Sequence, residues 1–214
     1  MSSVNFSRWP SFVALATGAA TLAVTLSACG SDSTPSAATS SSASGTDVVT
    51  APSIAETATD ASTCPTAPPA GDGAPEWTQS GATGSVAVTG STDTAAPLIK
   101  VSGPFSVTDT LVYTLKPGDG PVVPPTATVS VCYMGVNGRD GSVFDSSYER
   151  GQSAEFPLTG VVPGFQKAIA GQKVGSTVAV AMTPADGYPE GQPSAGIQKG
   201  DSLIFAIKVL GISD

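Results

Sequence analysis

The clearest pattern in the sequence is a series of short apolar runs, rich in β-branched residues, that are separated by turns rich in Gly and Pro. Runs of this kind predict strands. From residue 105 onward they fall at 105–115, 126–134, 143–147, 154–158, 176–183 and 201–212. The strongest turn signal between them is Lys116-Pro117-Gly118-Asp119-Gly120. The second half of the chain is therefore predicted to contain a β-sheet domain.

One segment within this half has the spacing of a helix instead. Residues 163–170 begin with Pro163, which suits a first helical turn, and place Phe165, Ala168 and Ile169 at i, i+3 and i+4. Gly171 follows and ends the predicted helix. The pattern predicts an α+β fold for residues 105–214, in which an antiparallel sheet wraps around one short α-helix.

Two further segments are less regular. Residues 185–200 form a long loop rich in Gly and Pro that carries Tyr188, and loops of this length in compact domains are usually functional or disordered. Upstream, residues 63–104 contain strand-like runs at 86–88 and 98–101, and a Trp77 that is too large to leave fully in water. We predict that residues 63–104 are an extension packed on the domain.

The first 28 residues have the pattern of an export signal peptide. Arg8 is the only charged side chain before the apolar run at 12–26, which is shorter than the roughly 20 residues needed to span a bilayer. The run ends in Leu26-Ser27-Ala28-Cys29, which resembles a bacterial lipobox. That resemblance implies cleavage before Cys29 and a lipid on its thiol, hence a cell-membrane anchor on the extracytoplasmic side. A chance Cys after a plain signal peptide is the alternative.

Residues 29–62 are dominated by Ser, Thr, Ala, Asp and Pro, with almost no large apolar side chains. Such a stretch cannot bury enough apolar surface to offset the entropy lost on ordering, so we predict a disordered, flexible tether. A coil of this length would reach about 30 Å from end to end. That reach would hold a domain clear of the lipid headgroups.

Charge and composition exclude several classes of function. The chain has 9 basic and 17 acidic residues and no His, for a net charge of −8. Removal of Arg8 with the signal peptide would leave 8 basic against 17 acidic side chains, a net charge of −9. This acidity argues against binding nucleic acid or anionic lipid by charge. Without His, histidine catalysis and the usual metal sites are excluded, and no cofactor is expected.

If Cys29 carries lipid, Cys64 and Cys132 are the remaining thiols. Strand alternation places Val131 and Tyr133 on the core face and Cys132 on the other face. Because an exported chain meets an oxidising compartment, we predict that Cys64 returns to the outer face of the sheet and forms a disulfide with Cys132. Two free thiols remain the alternative.

The most specific signal is a set of short motifs in a fixed order. Tyr133-Met134-Gly135 ends one predicted strand, a turn leads to Phe144-Asp145-Ser146-Ser147, Val162-Pro163-Gly164-Phe165 begins the helix, and Tyr188 precedes the last strand. This order resembles the FK506-binding-protein (FKBP) family of peptidyl-prolyl cis-trans isomerases over roughly the last half of the chain. The alternative is that these aromatic residues are ordinary core side chains of another small β domain.

The resemblance implies a role for each matching residue. The apolar trough that would grip the proline ring has aromatic walls and floor and aliphatic sides, matched here by Tyr133, Phe144, Phe165, Phe205, Val161, Val162 and Ile197. Asp145 matches a carboxylate at the edge of the trough, a position compatible with an ion pair to Arg150. The backbone N–H of Val162 and the hydroxyl of Tyr188 match two hydrogen-bond donors to the ligand.

The chain departs from the family pattern around the trough. Ala154 stands where relatives usually carry an aromatic residue, Gly196 where an aliphatic residue is common, and Phe165 where the floor is frequently Trp. The segment after Leu158 is only Thr159-Gly160, which is shorter than usual and lacks the acidic residue common there. These departures predict a shallower trough, which would weaken the binding of macrolides.

The function implied by the resemblance is peptidyl-prolyl cis-trans isomerisation of Xaa-Pro segments in exported proteins. A monomer is the default expectation, because the sequence carries no signal of oligomeric state. The trough would strip water from the imide and bind its twisted form better than either planar isomer. Macrolides of the FK506 and rapamycin type are the implied small-molecule ligands. The alternative is a non-catalytic proline-peptide binding module or chaperone with the same fold.

Overall fold

The computed structural model of the chain describes residues 63–69 and 74–213. The predicted signal peptide at 1–28, the lipidation site at Cys29 and the tether at 29–62 lie outside the described residues. In the part of the chain that is described, no helix is both long enough and apolar enough to cross a membrane.

The described residues form nine strands and two short α-helices. The elements are β1 Trp77–Ser80, β2 Thr83–Thr89, β3 Leu98–Ser106, β4 Leu111–Lys116, β5 Thr128–Asn137, β6 Val143–Ser146, α1 Ser147–Arg150, β7 Ala154–Pro157, α2 Pro163–Ile169, β8 Thr177–Met182 and β9 Leu203–Ser213. Short 3-10 turns occupy Leu158–Gly160, Pro184–Asp186 and Pro193–Ala195. The predicted α+β fold class, an antiparallel sheet with one helix longer than a single turn, is confirmed.

The main sheet has the strand order β4-β8-β9-β5-β6, and β7 pairs with the other end of β5. Every pairing in it is antiparallel, and the longest joins β5 to β9, from Thr128 opposite Ser213 to Asn137 opposite Leu203. Each residue of β8 is buried, because this strand is covered on both faces.

Helix α2 covers one face of the main sheet. Phe165, Ala168 and Ile169, the predicted apolar positions, are all buried there. Gly164 allows the close approach, because a Cβ at this position would lie 2.8 Å from the Cβ of Met182 in β8. The helix therefore holds Phe165 in a fixed position against the sheet.

The opposite face of the main sheet is covered by a second sheet of order β1-β2-β3. A buried cluster joins the two sheets: Trp77, Val86, Val88 and Phe105 come from the second sheet, and Ala179, Ala181, Ile204 and Ala206 come from the main sheet. The alanines give the large side chains room to pack closely. The strands at 77–106 thus stiffen the sheet from the side opposite to α2.

The prediction of one continuous strand over 105–115 is wrong, because this segment contains the end of β3 and most of β4. Phe105 is buried near the end of β3 and donates its N–H to the Gly138 carbonyl at 2.7 Å, whereas β4 begins only at Leu111. The predicted boundary after residue 104 therefore falls inside a strand. Gly103-Pro104 resembles a break in the pattern, but Gly103 adopts φ +70° within β3 and the strand continues through it.

Cys64 and Cys132 form a disulfide, with their Cα atoms 5.8 Å apart. This is the pair that the sequence predicted. Cys132 lies on the outer face of β5, together with the buried side chain of Tyr148, while Val131 lies in the core beside α2. The Tyr148 hydroxyl donates to Ser91 Oγ at 2.8 Å, and burial raises the pKa of Tyr148 to about 12. The disulfide ties the start of the described chain to the central strand.

Candidate active site

An open hollow of about 380 Å³ lies on the α2 side of the main sheet. It is bounded by β5, β6, the loop that leads into α2, and the loop between β8 and β9. Its lining is mainly apolar and consists of Tyr133, Phe144, Asp145, Phe156, Gly160, Val161, Val162, Phe165, Tyr188 and Phe205. A hollow of this size and composition suits a small apolar group such as a proline ring.

The floor of the hollow is the ring of Phe165, whose residue is only 5% exposed. Its ring lies edge to face with three others, at centroid distances of 5.8 Å to Tyr133, 5.3 Å to Phe156 and 5.2 Å to Phe205. Edge-to-face contacts at these distances are favourable beyond the area they bury. The aromatic rings therefore hold one another in place without needing a ligand.

One wall is the ring of Phe144, which lies edge to face with Phe205 at 5.4 Å. Gly135 in β5 makes this arrangement possible. A Cβ at Gly135 would lie 2.6 Å from Phe144 Cζ and 2.7 Å from Phe205 Cε1. The glycine of the Tyr133-Met134-Gly135 motif is thus required by the two rings that pack over it.

The only carboxylate in the lining, that of Asp145, is engaged at the rim. The Tyr133 hydroxyl donates to Asp145 Oδ2 at 2.5 Å, and Arg150 Nη1 donates to Oδ1 at 2.5 Å. Arg150 Nη2 also donates to the Tyr133 hydroxyl at 3.0 Å. This closed set of hydrogen bonds fixes the Tyr133 ring, so the carboxylate orients a wall of the hollow.

The same contacts set the protonation states at the rim. Burial opposes ionisation of Asp145, but hydrogen bonds from Tyr133 and Arg150 outweigh it and lower the pKa of the carboxyl. Burial, followed by the hydrogen bond to Asp145, raises the pKa of the Tyr133 hydroxyl above its ordinary value. Asp145 is therefore ionised and Tyr133 neutral across the physiological range.

Two hydrogen-bond donors at the hollow have no acceptor among the described residues. One is the backbone N–H of Val162, the residue just before α2, and the other is the hydroxyl of Tyr188. Both are available to carbonyl oxygens of a bound peptide. Within residues 63–69 and 74–213, no group of three or more His, Cys, Asp or Glu side chains could hold a metal ion.

Comparison with known proteins agrees with this geometry. A family model described as FKBP-type peptidyl-prolyl cis-trans isomerase matches residues 120–210. A protein of Corynebacterium glutamicum named probable FK506-binding protein is 37% identical over 103 residues, which cover 48% of this chain and 86% of that relative. The chain belongs to the FKBP family of peptidyl-prolyl cis-trans isomerases.

Other FKBP relatives are longer than the matched region. The FKBP-type 22 kDa peptidyl-prolyl cis-trans isomerase of Escherichia coli is 37% identical over 98 residues, which span 46% of this chain and 47% of that protein. A crystal structure of a peptidyl-prolyl cis-trans isomerase from Pseudomonas syringae aligns with 49% of this chain and 76% of its own, at 28% identity and a TM-score of 0.45. The chain spans about half the length of the E. coli relative.

The structure brings eight of the nine predicted site residues of this FKBP chain to one hollow. The eight are Tyr133, Phe144, Asp145, Val161, Val162, Phe165, Tyr188 and Phe205. Ile197 is the exception: its residue is 1% exposed, it belongs to the buried core, and it does not line the hollow. Its side chain therefore belongs to the same core cluster as Phe165 and Phe205 and not to the surface of the hollow.

Two lining residues, Phe156 and Gly160, were not among the predicted site residues. Phe156 lies two positions after Ala154 on the same side of β7, and its ring meets Phe165 edge to face. Strand alternation in the Ala154-Glu155-Phe156 segment is the signal that could have identified it. Gly196 has φ +71° and open space around a notional Cβ, so the missing aliphatic side chain leaves this edge of the loop uncovered.

The protonation states of Asp145 and Tyr133 predict that isomerase activity is independent of pH between about 5 and about 9. The lowered pKa of Asp145 means that its contribution to stability is present above the unfolded value and is lost as pH falls through the folded one. The raised pKa of Tyr133 means that its contribution is present below the unfolded value and is lost as pH rises through the folded one. Neither group titrates in between.

The measurement is kcat/KM on one Xaa-Pro peptide over this pH range, with circular dichroism as the control for folding. A bell-shaped profile centred near neutral pH would contradict the account, since it would require an acid or base at the reacting bond.

Proposed function

We propose that this protein catalyses the cis-trans isomerisation of Xaa-Pro bonds in exported proteins, at the extracytoplasmic face of the cell membrane. The observation that supports the activity most strongly is the hollow itself. Its walls are aromatic rings that pack against one another, and its lining carries two donors that have no acceptor among the described residues, Val162 N–H and the Tyr188 hydroxyl. Family membership independently points to the same reaction.

The chemistry demanded of the hollow is modest but specific. Rotation about an Xaa-Pro bond breaks amide resonance, against a barrier of about 18 to 20 kcal/mol. Resonance places charge on the imide, so an apolar site that removes water from it favours the twisted, less polar form. Preferential binding of that form by about 1.36 kcal/mol accelerates the reaction about tenfold. No bond to the enzyme is formed or broken.

The polar groups divide into two roles in this mechanism. Val162 N–H and the Tyr188 hydroxyl hold peptide carbonyls and so orient the chain on either side of the bond that rotates. Asp145 and Arg150 hold the Tyr133 ring and do not exchange protons with the substrate, because each is already hydrogen-bonded. Macrolides of the FK506 and rapamycin type would occupy the same hollow and compete with peptide.

The location is proposed from the N-terminal sequence together with the disulfide. The lipobox-like Leu26-Ser27-Ala28-Cys29 would supply a lipid on Cys29, and residues 29–62 would act as the tether. A disulfide between Cys64 and Cys132 is consistent with an oxidising compartment outside the cytoplasm. Substitution of Cys29 by Ala should release the protein from the membrane fraction and abolish incorporation of radiolabelled palmitate; membrane retention of the variant would contradict the anchor.

Isomerase activity is tested with a protease-coupled assay on Xaa-Pro tetrapeptides. We predict acceleration over the uncatalysed rate at micromolar protein, and a loss of about fivefold to tenfold in kcat/KM for Tyr188→Phe, the value of one net hydrogen bond. Tyr113→Phe is the matched control, because Tyr113 is 45% exposed and stacks on Trp77, away from the hollow. A rate equal to the uncatalysed one would reject the enzyme in favour of a non-catalytic proline-peptide binding module or chaperone.

A further inference from the structure

The loop that carries Tyr188 is fastened to the body of the domain just before that residue. The 3-10 turn Pro184–Asp186 begins this loop, and only Gly187 separates Asp186 from Tyr188. Asp186 Oδ2 accepts hydrogen bonds from Thr110 Oγ1 at 2.5 Å and from Lys167 Nζ at 2.7 Å. A single carboxylate oxygen therefore joins the loop to two other elements.

The two donors come from elements that matter to the hollow. Lys167 lies on α2, two residues after the floor residue Phe165, and Thr110 immediately precedes β4. Thr110 Oγ1 also accepts the backbone N–H of Thr183, the cap residue of the 3-10 turn, at 3.2 Å. The beginning of the loop is thus held on one side by the floor helix and on the other by the sheet.

We propose that Asp186, through its contacts to Lys167 and Thr110, is a positioning residue that holds the Tyr188 hydroxyl over the hollow. This inference rests on the proposed function and adds a residue on which the catalytic efficiency of the isomerase depends. Tyr188 is half-buried against the core cluster, and its hydroxyl has no partner in the described part of the chain. Its position therefore depends on the backbone that carries it, and Asp186, two residues before it, is where a side chain joins that backbone to α2 and to the residue that precedes β4.

The contacts of Asp186 with Lys167 and Thr110 should affect the position of Tyr188 more than the stability of the fold. The side chain of Lys167 is 56% exposed and that of Asp186 is 20% exposed, and ion pairs with such exposure contribute little to folding. A small displacement of a substrate-binding group, in contrast, can cost much of its contribution to catalysis. Loss of these contacts should therefore lower activity while leaving the melting temperature nearly unchanged.

The test is a double-mutant cycle between Asp186→Asn and Tyr188→Phe. In the wild-type background we expect Asp186→Asn to lower kcat/KM by about threefold to fivefold, which is less than the loss on removing the hydroxyl itself. In the Tyr188→Phe background the same substitution should change kcat/KM by less than about 1.5-fold, because the group it positions is already gone. Equal losses in both backgrounds, or no loss in the first, would overturn the inference.

The loop provides a matched control. Lys199 Nζ and Glu190 Oε2 form an ion pair 2.9 Å long in the same loop, but their side chains are 71% and 80% exposed and do not line the hollow. Lys199→Met should leave kcat/KM unchanged. Lys167→Met should reproduce the effect of Asp186→Asn, and Lys167→Arg should restore activity because a guanidinium can also donate to Asp186.

Ionic strength adds a readout that a purely structural role would not change. Raising salt from about 0.1 M to about 1 M shortens the Debye length from about 10 Å to about 3 Å, so kcat/KM should fall more for the wild type than for Asp186→Asn.

If the wild type shows no isomerase activity, the proposed enzymatic function fails by itself. The same cycle is then measured as the Kd for an Xaa-Pro tetrapeptide, where additive effects of the two substitutions would overturn the inference.

Discussion

Replacing Phe144 with Ala is expected to lower kcat/KM by about tenfold to a hundredfold while the domain stays folded. Phe144 forms one wall of the hollow, and its ring packs edge to face on Phe205 over Gly135. Its removal would let water reach the imide and would loosen the Phe205 ring. Because both changes act on the twisted form of the substrate, the loss should be seen in catalysis.

The control for this prediction is the neighbouring residue on the same strand. Val143 is 43% exposed and does not line the hollow, so Val143→Ala should leave kcat/KM within about twofold of the wild type. Kinetics would be measured with the protease-coupled assay and folding by thermal denaturation. Normal proline isomerisation by Phe144→Ala would mean that the reaction occurs elsewhere on the molecule.

The second large effect concerns stability. Substitution of Cys132 by Ser should lower the free energy of unfolding by about 4 kcal/mol, because the disulfide closes a loop between residues separated by 68 positions. Activity of the folded fraction should stay close to that of the wild type, since the sulfur lies on the face of β5 opposite to the hollow.

The measurement is urea denaturation of the wild type, Cys132→Ser and the paired Cys64→Ser/Cys132→Ser variant, each followed by an activity assay in the absence of urea. The paired variant removes any effect of a single unpaired thiol. An isomerase rate that falls in proportion to the loss of stability, in conditions where all three proteins are folded, would contradict the separation of the two faces.

Residues on strands with regular alternation were placed correctly from the sequence. In β5, Val131 faces α2 and Cys132 faces outward, as the period of two requires. Tyr133 and Phe165 lie where strand alternation and helical spacing predict, and Phe144, which the family resemblance placed in the trough, lines the same hollow.

The errors lie where local signals compete with tertiary contacts. One strand was predicted over 105–115, yet Phe105 and Ser106 belong to β3, which pairs with β2, and β4 begins only at Leu111. The one-turn helix α1 was not predicted, although Ser146 caps it by accepting the Glu149 N–H at 3.3 Å and Gly151 ends it at φ +69°. Four residues are too few to show a helical apolar period.

Ile197 was placed in the site because the family resemblance concerns the chain position and not the depth of burial. In a loop, no periodic pattern predicts which way a side chain points, and here the side chain is buried in the core. The ion pair between Asp186 and Lys167 could not be predicted from the sequence either. The two residues are 19 positions apart, and each belongs to an element whose orientation the sequence does not state.

The central claim is that a dry aromatic hollow accelerates rotation of the prolyl bond without an acid, a base or a metal. The most direct measurement is the cis-trans exchange rate of an Xaa-Pro tetrapeptide by NMR, at micromolar wild-type protein with excess chelator, in H₂O and in D₂O. The account predicts clear acceleration in both solvents, with a ratio of the two catalysed rates close to 1, because no proton is transferred. Absence of acceleration, or catalysis that is slowed about twofold or more in D₂O, would contradict it.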